Sequence, residues 1–497
     1  MDTSRKVPFE EALNLTGFGK FNYVTLLVNV LVILSVVFEI YSVSYVVPTS
    51  ACDLQTTVYQ QGLIASTPMA GIILTSNFWG YLADTRGRRK IVILSLLLSF
   101  SSSTLACFSP NWICLFIFKF ISSTALAGTY PLGLTILGEF TPAHKRAIIV
   151  AMIGTVFTTS FGLLGILSIP ISNLKFSYHV PILDINLVPW RLLNFLTTTP
   201  AAIAAFATYL TYETPKFLLS VGEEEKALDV LRRMFNINTG KGREEYQVHS
   251  LFLDESSSEP SKGLWASIKS QTTPLLKPPL LKNTLILSFL FSIVYFVINP
   301  FYVWLPVVAN AIVQTKNNGQ NGLTLCETLR YSENLTVAQS NECAMNSTAM
   351  FTVFIVTLVL GSLNAFLSAT IEHIGKKRLL ICVQIISGLT GLGINFSAHW
   401  AMNSVLFLLF LVGILNFGFL CTFSVDMFPT YVKAMAICLS MMIGRGVSVI
   451  GINVVKSMLT YNCELAFYCF PALAFIGAFT GLLLPGDKKS EEKENSI

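Results

Sequence analysis

The sequence has few charged residues for its length. Asp, Glu, Lys and Arg make up 12% of the 497 residues, whereas hydrophobic residues make up 53%. Globular proteins average roughly 25% charged residues, and a soluble chain of this size could not cover its surface with half that share. The deficit excludes an ordinary soluble domain and predicts a protein embedded in a membrane.

Motifs of common enzyme chemistry are also missing. The sequence contains no HExxH, no GxSxG, no CxxC and no Gly-x4-Gly-Lys-Ser/Thr phosphate loop. No run of Lys or Arg resembles a nucleic-acid-binding patch. We therefore expect no enzymatic activity, no cofactor, no bound metal and no nucleic-acid partner. Without an ATP-binding motif, any transport has to be driven by a gradient or run downhill.

Long apolar segments take the place of these features. A helix needs about 20 residues to cross a bilayer, and backbone groups in lipid must bond within their own segment, which favours helices. One such segment could be a buried helix in the core of a soluble protein, but a long series of apolar segments separated by polar stretches could not. We predict an all-α membrane protein with twelve transmembrane helices. The spans are 21–47, 62–83, 91–109, 112–138, 147–170, 191–211, 284–313, 348–371, 379–399, 404–426, 435–458 and 465–485.

The spans form two groups of six on either side of a polar linker. The linker contains an amphipathic pattern near 222–235, which predicts a helix on the inner membrane surface. The predicted organisation is an N-terminal segment 1–20, a first bundle 21–211, a linker 212–283, a second bundle 284–485 with an outer loop 314–347, and a tail 486–497.

The distribution of Lys and Arg predicts the orientation. With the N-terminus in the cytosol, the inner segments hold 26 of the 33 Lys and Arg residues, including ten in the long linker. Without the linker, 16 lie inside against four outside or at the outer boundary, which are Lys175, Arg191, Lys316 and Arg330. The positive-inside rule therefore predicts that both termini are cytosolic.

The loop after the seventh span has the features of an outer, oxidised compartment. It carries two glycosylation sequons, at Asn334 and Asn346, of which Asn334 is the better acceptor because Asn346 is close to the membrane. Cys326 and Cys343 share this loop and could form a disulfide. The alternatives are two unpaired thiols, or pairing with Cys52 and Cys463, which are also on the outer side.

An internal repeat relates the two groups of spans. An acid, a glycine and a basic cluster follow the second span and recur 288 residues later, after the eighth span. An acid, a proline and a basic residue follow the fourth span and recur 287 residues later, after the tenth span. Such a repeat predicts two halves related by a pseudo-twofold axis along the membrane normal. The matched residues are Asp84, Gly87 and Arg88 with Glu372, Gly375 and Lys376, and Glu139, Pro142 and Arg146 with Asp426, Pro429 and Lys433.

These motifs resemble those of the major facilitator superfamily. The stretch Gly-Tyr-Leu-Ala-Asp-Thr-Arg-Gly-Arg-Arg at 80–89 resembles its loop signature, and Tyr-Glu-Thr-Pro-Lys-Phe-Leu at 212–218 resembles the Pro-Glu-Ser-Pro-Arg-Phe-Leu motif of its sugar and organic-ion transporters. Glu39 in the first span, the short loop 48–61 and the extended loop after the seventh span resemble the synaptic vesicle glycoprotein 2 group and its insect-like members.

The resemblance implies a cytosolic latch. In this family the loop motif locks the cytosolic ends of the two halves together in the outward-open state. Gly87 permits the tight turn between two helices, and the acids accept charge-assisted bonds. A simpler interpretation is that these charges only set the topology. The resemblance assigns Asp84, Gly87, Arg88, Glu139 and Arg146 to the gate of the first half, and Glu372, Lys376, Asp426 and Lys433 to that of the second.

Charges inside the spans are the best indicators of a substrate site. A charge at mid-bilayer costs ~3 kcal/mol and is usually functional. Glu39 and Lys119 lie at matching depths in spans one and four, which line the central cavity in the family, so we expect a Glu39–Lys119 pair facing that cavity. The alternative is a structural salt bridge inside the first half. Glu39 could also carry a coupling proton.

Spans seven and eleven supply the other candidates. Arg445 lies in mid-span eleven, and facing water it would favour an anionic or carboxylate-bearing substrate, although it could instead pair with Glu39. Pro300 and Pro306 should interrupt span seven. The cavity candidates in span seven are Tyr295, Asn299, Tyr302 and Trp304, for which interfacial packing is the alternative.

Two functions fit these features. The first is a secondary active or facilitative transporter of a small organic ion that works by alternating access as a monomer. The second is a membrane glycoprotein with carrier architecture that no longer transports but binds protein partners; the short outer loop and the intact latch motifs argue against it. Either protein would reside in the plasma membrane or in an intracellular vesicle.

Overall fold

Twelve long helical segments dominate the computed structural model of the protein and follow the chain in two sets of six. The structure describes residues 6–182, 184–252, 272–320, 322–338, 345–428 and 430–485, without the side chains of Glu372, Asp426, Lys433 and some other helical residues.

The first set follows a short strand and helix, β1 (Val7–Pro8) and α1 (Phe9–Leu15). Its fourth span is divided between two consecutive helices, where Gly128 lies so close to Trp79 that no Cβ would fit. The helices of the set are α2 (Lys20–Leu54), α3 (Val58–Arg86), α4 (Arg88–Ala106), α5 (Trp112–Leu126), α6 (Thr129–Phe140), α7 (Ala143–Ser172) and α8 (Pro189–Tyr209). A hairpin of β2 (Tyr178–Val180) and β3 (Ile185–Leu187) joins α7 to α8.

The linker forms α9 (Pro215–Ser220), α10 (Glu224–Thr239) and β4 (Leu251–Phe252) before the second set begins. The seventh span is interrupted near Pro300 and Pro306, as predicted, and gives α11 (Leu280–Val297), α12 (Asn299–Val303) and α13 (Leu305–Asn317). The rest of the set is the loop helix α14 (Leu325–Ala338), α15 (Ser347–Ile374), α16 (Lys376–Gly393), α17 (Trp400–Leu411), α18 (Asn416–Met427), α19 (Thr430–Tyr461) and α20 (Cys463–Gly481).

Every predicted span corresponds to one of these helical segments, with boundaries that differ by a few residues. In the described part of the chain, ten segments are long and apolar enough to cross a membrane by length and composition. The other two, α3 and α8, contain more polar side chains and pack closely on neighbours: α3 on α5 and α19, and α8 on α2 and α4. The two sets contact each other chiefly through α3 with α19 and α7 with α15.

The repeat seen in the sequence is present in the backbone. Gly87 ends α3 and begins α4 with φ 101° and ψ 138°, and Gly375 ends α15 and begins α16 with φ 97° and ψ 137°. This region of backbone space is almost exclusive to glycine. The equal angles at equivalent positions show that the same turn is used twice, at one end of the two sets. We call this end, which also includes the turn at Pro142, the basic end.

The turn at Gly87 gives a direct prediction. Gly87→Ala would force a Cβ into a strained φ and to within 2.6 Å of Glu213 Oε2, so we expect the protein to lose about 1–3 kcal/mol of stability. Gly80→Ala is the matched control, because Gly80 is helical with open space around its Cβ position. Thermal unfolding in nanodiscs should show a lower midpoint for Gly87→Ala alone; equal midpoints would contradict the strained turn.

The N-terminal segment and the linker fold together against the basic end of the first set. β1 pairs in parallel with β4, and the Tyr246 hydroxyl donates to Ala12 O at 2.7 Å. Hydrogen bonds from Leu251 N–H and the Ser250 hydroxyl lower the pKa of Glu224, which keeps this acid ionised where it anchors the strand. The predicted linker helix is present as α10, and its apolar face packs on α1, α2 and α9.

At the opposite end, which we call the disulfide end, a disulfide fastens the loop helix α14 to the turn between α19 and α20. Cys326 is bonded to Cys463, so the possible Cys326–Cys343 bridge is not formed and the alternative pairing of Cys326 with Cys463 is confirmed. The ion pair Arg330–Glu464, at 2.5 Å, lies beside this bond and joins the same two elements. Cys52 is disulfide-bonded as well, and Cys343 lies outside the described residues. The Asn334 side chain is exposed on α14, whereas Asn346 caps α15 by accepting a bond from Thr348 N–H at 2.8 Å.

Candidate functional site

A buried ion pair joins the first and fourth spans. Lys119 Nζ on α5 lies 3.2 and 3.4 Å from the two carboxylate oxygens of Glu39 on α2. It also donates to the hydroxyls of Ser42 and Ser103, both at 3.0 Å. Lys119 is 0% exposed and Glu39 is 3% exposed. The ammonium therefore has a complete set of acceptors, which is the condition under which a charge can remain inside a membrane protein.

The pair predicted from sequence is present, but it points into the first set and not toward the second. All four of its groups belong to α2, α4 and α5, and the adjoining Asn194 donates to Ser103 O at 2.8 Å from α8. Successive helical residues are separated by about 100°, so Glu39 and Tyr41 lie on nearly opposite faces of α2. It is Tyr41 that faces the second set.

An aromatic cluster fills the space between the two sets. The Tyr41 ring lies 5.0 Å from Phe161 and 5.5 Å from Tyr302, and the rings of Phe161 and Tyr302 are 4.6 Å apart. The Tyr41 hydroxyl donates to Asn299 Oδ1 at 3.4 Å, and Asn299 Nδ2 donates to Ser448 Oγ at 2.9 Å. The cluster thus links α2 and α7 of the first set to α12 and α19 of the second.

Arg445 lies next to this cluster on its basic-end side. The half-buried guanidinium lies within electrostatic range of Tyr295, Tyr41 and Tyr130, and the Tyr295 ring packs on the neighbouring Gly444. Among the described side chains, no carboxylate lies within 4 Å of Arg445, so it does not pair with Glu39. We call the region between the two sets around Tyr41, Tyr130, Tyr295 and Arg445 the central chamber. A cation with aromatic neighbours and no neutralising acid is suited to an anionic group on an aromatic or apolar body.

Of the predicted cavity residues, Arg445, Tyr295, Asn299 and Tyr302 therefore lie at or beside the central chamber. Trp304 does not, because it is 1% exposed and its Nε1 donates to Ile452 O at 3.2 Å. Lys456 Nζ lies 5.0 Å from the centre of its ring. Sequence reasoning missed the chamber residues of the first set, listed here: Tyr41, Tyr130, Phe157 and Phe161. The one sequence signal for Tyr41 was its own hydroxyl group, which lies on the face of α2 opposite Glu39.

The two sets are in close contact toward the disulfide end. There Asn453 Nδ2 donates to Ser66 Oγ at 3.1 Å, and Ser347 Oγ donates to Asn173 Oδ1 at 3.0 Å. A Cβ added to Gly62 would lie 2.6 Å from Asn453. Nearer the basic end, a Cβ at Gly154 would meet only Asn364, at 3.8 Å. Among the described residues, the hydrogen bonds between the two sets lie beside the aromatic cluster and toward the disulfide end.

The basic end of the first set carries the predicted cluster. Arg88 makes an ion pair with Glu139 and lies 3.8 Å from Asp84, whose side chain is 71% exposed. Arg146 does not join this cluster. Its Nε donates to Gly138 O and Thr141 O, and its guanidinium pairs with Glu10 of α1 at 2.8 Å. That acid belongs to the N-terminal segment, which the sequence-based assignment of the gate did not include.

Glu213 completes the turn at Gly87. Its Oε1 accepts from Arg89 N–H at 3.0 Å and so satisfies a free donor at the start of α4. In the second set, the structure does not describe the side chains of three predicted gate residues, Glu372, Asp426 and Lys433. The fourth, Lys376, has an interaction partner in the protein. The described gate contacts all lie within the first set, so none of them bridges the two sets in this state.

Comparison with known proteins was made at the level of family, sequence and fold. Residues 30–324 match the family model of the Major Facilitator Superfamily. The protein svop-1 of Caenorhabditis elegans is 22% identical over 100% of this chain and 88% of its own length. Solute carrier family 22 member 6 of Rattus norvegicus is 32% identical over 37% of this chain and 30% of its own. Synaptic vesicle glycoprotein 2B of Rattus norvegicus is 23% identical over 46% and 34%.

Solved structures show the same fold. The xylose transporter XylE from E. coli, in a partially occluded inward-open conformation, superposes with a TM-score of 0.67 at 15% identity and covers 94% of this chain and 98% of its own. At this identity the likeness concerns the arrangement of the helices alone.

Proposed function

The chain belongs to the major facilitator superfamily, and on that premise we propose that it is a secondary carrier that moves a small organic ion across the membrane by alternating access. The protein is a multi-pass membrane transporter by family. The finer proposal rests on one observation: Arg445 has aromatic neighbours and no described carboxylate within 4 Å, in a chamber between the two halves. Substrate groups in such carriers bind at the interface of the repeats.

The substrate we propose is an organic anion, such as an aromatic or aliphatic carboxylate. Arg445 would bind the carboxylate, with Tyr295 and Tyr130 as hydrogen-bonding neighbours. The rings of Tyr41, Phe161 and Tyr302 would contact the apolar body of the substrate. Such a site would favour a single negative charge, because one cation is available among the described chamber residues.

Alternating access would proceed by rocking of the two halves. The close contacts at the disulfide end would open while the basic end closed around the substrate. The Arg88–Glu139 and Arg88–Asp84 pairs are placed to take part in that closure with the second half. The concentration of Lys and Arg at the basic end supports a cytosolic location for that end and for both termini.

Glu39 is our proposed site for a coupling proton. Protonation of Glu39 would remove the charge partner of Lys119, which would keep only Ser42 and Ser103 as acceptors. The change is confined to the first half and borders α2, the helix that also carries Tyr41. A proton on Glu39 would therefore be able to shift α2 and the chamber together.

The test is uptake by proteoliposomes that contain the purified full-length chain, with a panel of labelled organic anions, organic cations and neutral sugars. We expect saturable uptake of an anion, with a pH dependence that the double variant Glu39→Gln/Lys119→Met, which removes both buried charges, abolishes. Uptake confined to cations or sugars would contradict the substrate class. No uptake of any solute, together with retained binding of a protein partner, would favour a non-transporting glycoprotein.

Arg445→Gln tests the anion site itself. We expect the apparent affinity for the transported anion to fall about 10- to 100-fold, because a charge-assisted hydrogen bond contributes roughly 1.5–3 kcal/mol. Lys316→Gln is the matched control, since Lys316 is an exposed cation near the disulfide end that stacks on Trp400 at 3.8 Å. Equal affinities in the two variants would contradict a role for Arg445 in binding.

A further inference from the structure

A second cavity lies at the disulfide end, apart from the central chamber. Its volume is about 590 Å³, within the range of roughly 300–1,000 Å³ that small-molecule sites occupy. The walls come from α2, α7, α8 and the β2–β3 hairpin of the first half, and from two methionines of the second half. The apolar lining consists of Tyr45, Ile171, Leu174, Phe176, Val188, Pro189, Trp190, Leu193, Met345 and Met350.

Tyr45 provides the polar feature of this cavity. It is 0% exposed, and its hydroxyl has no hydrogen-bond partner among the described residues. A buried hydroxyl without a partner is unfavourable by about 1–3 kcal/mol, so native proteins seldom leave one without a reason. Tyr45 lines the cavity with its hydroxyl covered. A shift of the Tyr45 side chain on ligand binding would present the hydroxyl to a ligand oxygen, which could accept the missing hydrogen bond.

The charges around the cavity are already neutralised within the protein. Asp53 Oδ2 accepts from Trp190 Nε1 and from Arg191, both at 3.0 Å. Arg191 also donates to Cys107 O and Ser109 O at 2.8 Å, which fixes its position. Lys175 likewise has an interaction partner in the protein. The wall therefore offers no unpaired charge to a ligand, which favours an uncharged one.

The aromatic cluster separates this cavity from the central chamber. Tyr45 packs on Phe161 at 5.9 Å on one side, and Phe161 packs on Tyr41 and Tyr302 on the other. Met350 reaches the cavity from α15, and its backbone oxygen lies 3.0 Å from the Cβ position of Gly165 on α7. The cavity is thus completed by the closed contact between the halves.

We propose that this cavity is a second ligand site, which takes an uncharged amphipathic organic molecule with an aromatic body and a carbonyl oxygen. The body packs among the apolar side chains, and the carbonyl accepts the hydrogen bond of the Tyr45 hydroxyl. Because both halves supply the walls, a ligand here favours the state in which the disulfide end is closed. The site does not depend on what the central chamber transports.

The test uses two probes of matched shape, 2-acetylnaphthalene and 2-ethylnaphthalene, which differ in the carbonyl oxygen. Binding to the full chain in nanodiscs is titrated by saturation-transfer-difference NMR, with empty nanodiscs as the reference. We expect saturable binding of both probes, tighter for the ketone. Tyr45→Phe should weaken the ketone about 5- to 10-fold and leave the hydrocarbon unchanged.

Further variants localise the site. Thr49→Phe and Ser172→Phe, two independent substitutions that fill the cavity, should abolish binding of both probes while the protein stays monodisperse. Arg445→Gln should change neither probe. The proposal is overturned if binding is not saturable, if Tyr45→Phe leaves the ketone unaffected, or if Arg445→Gln removes binding, which would locate the probes in the central chamber. Lipid adducts in native mass spectra that Thr49→Phe and Ser172→Phe both remove would identify a lipid as the occupant and also overturn it.

Discussion

Lys119→Met should destabilise the protein severely, by about 3–5 kcal/mol, because it leaves Glu39 as an uncompensated charge in the interior. Glu39 and Lys119 are both almost fully buried, and the four hydrogen bonds of the ammonium tie α2, α4 and α5 together. Removal of Lys119 deletes all four at once. The measurement is the thermal unfolding midpoint and the monodisperse fraction of the purified protein.

The control for this prediction is the double variant Glu39→Gln/Lys119→Met. It removes both charges and should recover most of the lost stability, since a buried pair replaced by neutral groups of similar volume is often tolerated. Arg330→Gln, at the exposed pair with Glu464, should change stability by less than about 1 kcal/mol. A double variant no more stable than Lys119→Met would show that the two charges are not coupled.

Cross-linking the two halves at the disulfide end should stop transport. Asn173 and Ser347 lie on opposite halves with their side-chain oxygens 3.0 Å apart. In the variant Asn173→Cys/Ser347→Cys, a short cleavable bis-methanethiosulfonate reagent would hold this end closed. Because alternating access requires that end to open, uptake should fall below about a tenth of the rate before cross-linking.

Cleavage of the chemical cross-link by a mild reductant should restore uptake in the double variant. The parent protein and each single-cysteine variant, carried through the same reagent and reductant, control for modification of the native cysteines, of which Cys382, Cys438 and Cys469 are exposed and free. Undiminished uptake with a complete cross-link would mean that the contact between Asn173 and Ser347 does not open during transport.

Features that depend on local chemistry could be predicted from the sequence. The twelve spans followed from the length that a bilayer demands of an apolar helix. The twin turns followed from Gly87 and Gly375, since the flanking acids and bases repeat around them. The Glu39–Lys119 contact followed from the high cost of an isolated charge in the membrane, which makes two charges at one depth seek each other.

Features that depend on long-range packing could not be predicted from the sequence. The direction of the Glu39–Lys119 pair was set by Ser42 and Ser103, whose hydroxyls carry no periodic signal in an apolar helix. Tyr41 and Phe161 are apolar enough to pass as lipid-facing residues, so the aromatic cluster was not visible. The bond of Cys326 to Cys463 depends on where α14 lies, because disulfide connectivity is not encoded in spacing.

The central claim is that two rigid halves rock about a chamber that contains Arg445, so that one end closes as the other opens. Gly162→Phe provides the perturbation, because a Cβ at Gly162 would overlap Thr357 across the closed contact. Gly154→Ala is its control on the same helix, where the nearest atom is 3.8 Å away.

Double electron–electron resonance between spin labels would report both ends, with the pair Tyr59 and Asn317 at the disulfide end and the pair Thr85 and Ile374 at the basic end, all four being exposed. For Gly162→Phe we predict a longer 59–317 distance together with a shorter 85–374 distance, and no change for Gly154→Ala. A longer 59–317 distance with an unchanged 85–374 distance would contradict the rocking of rigid halves.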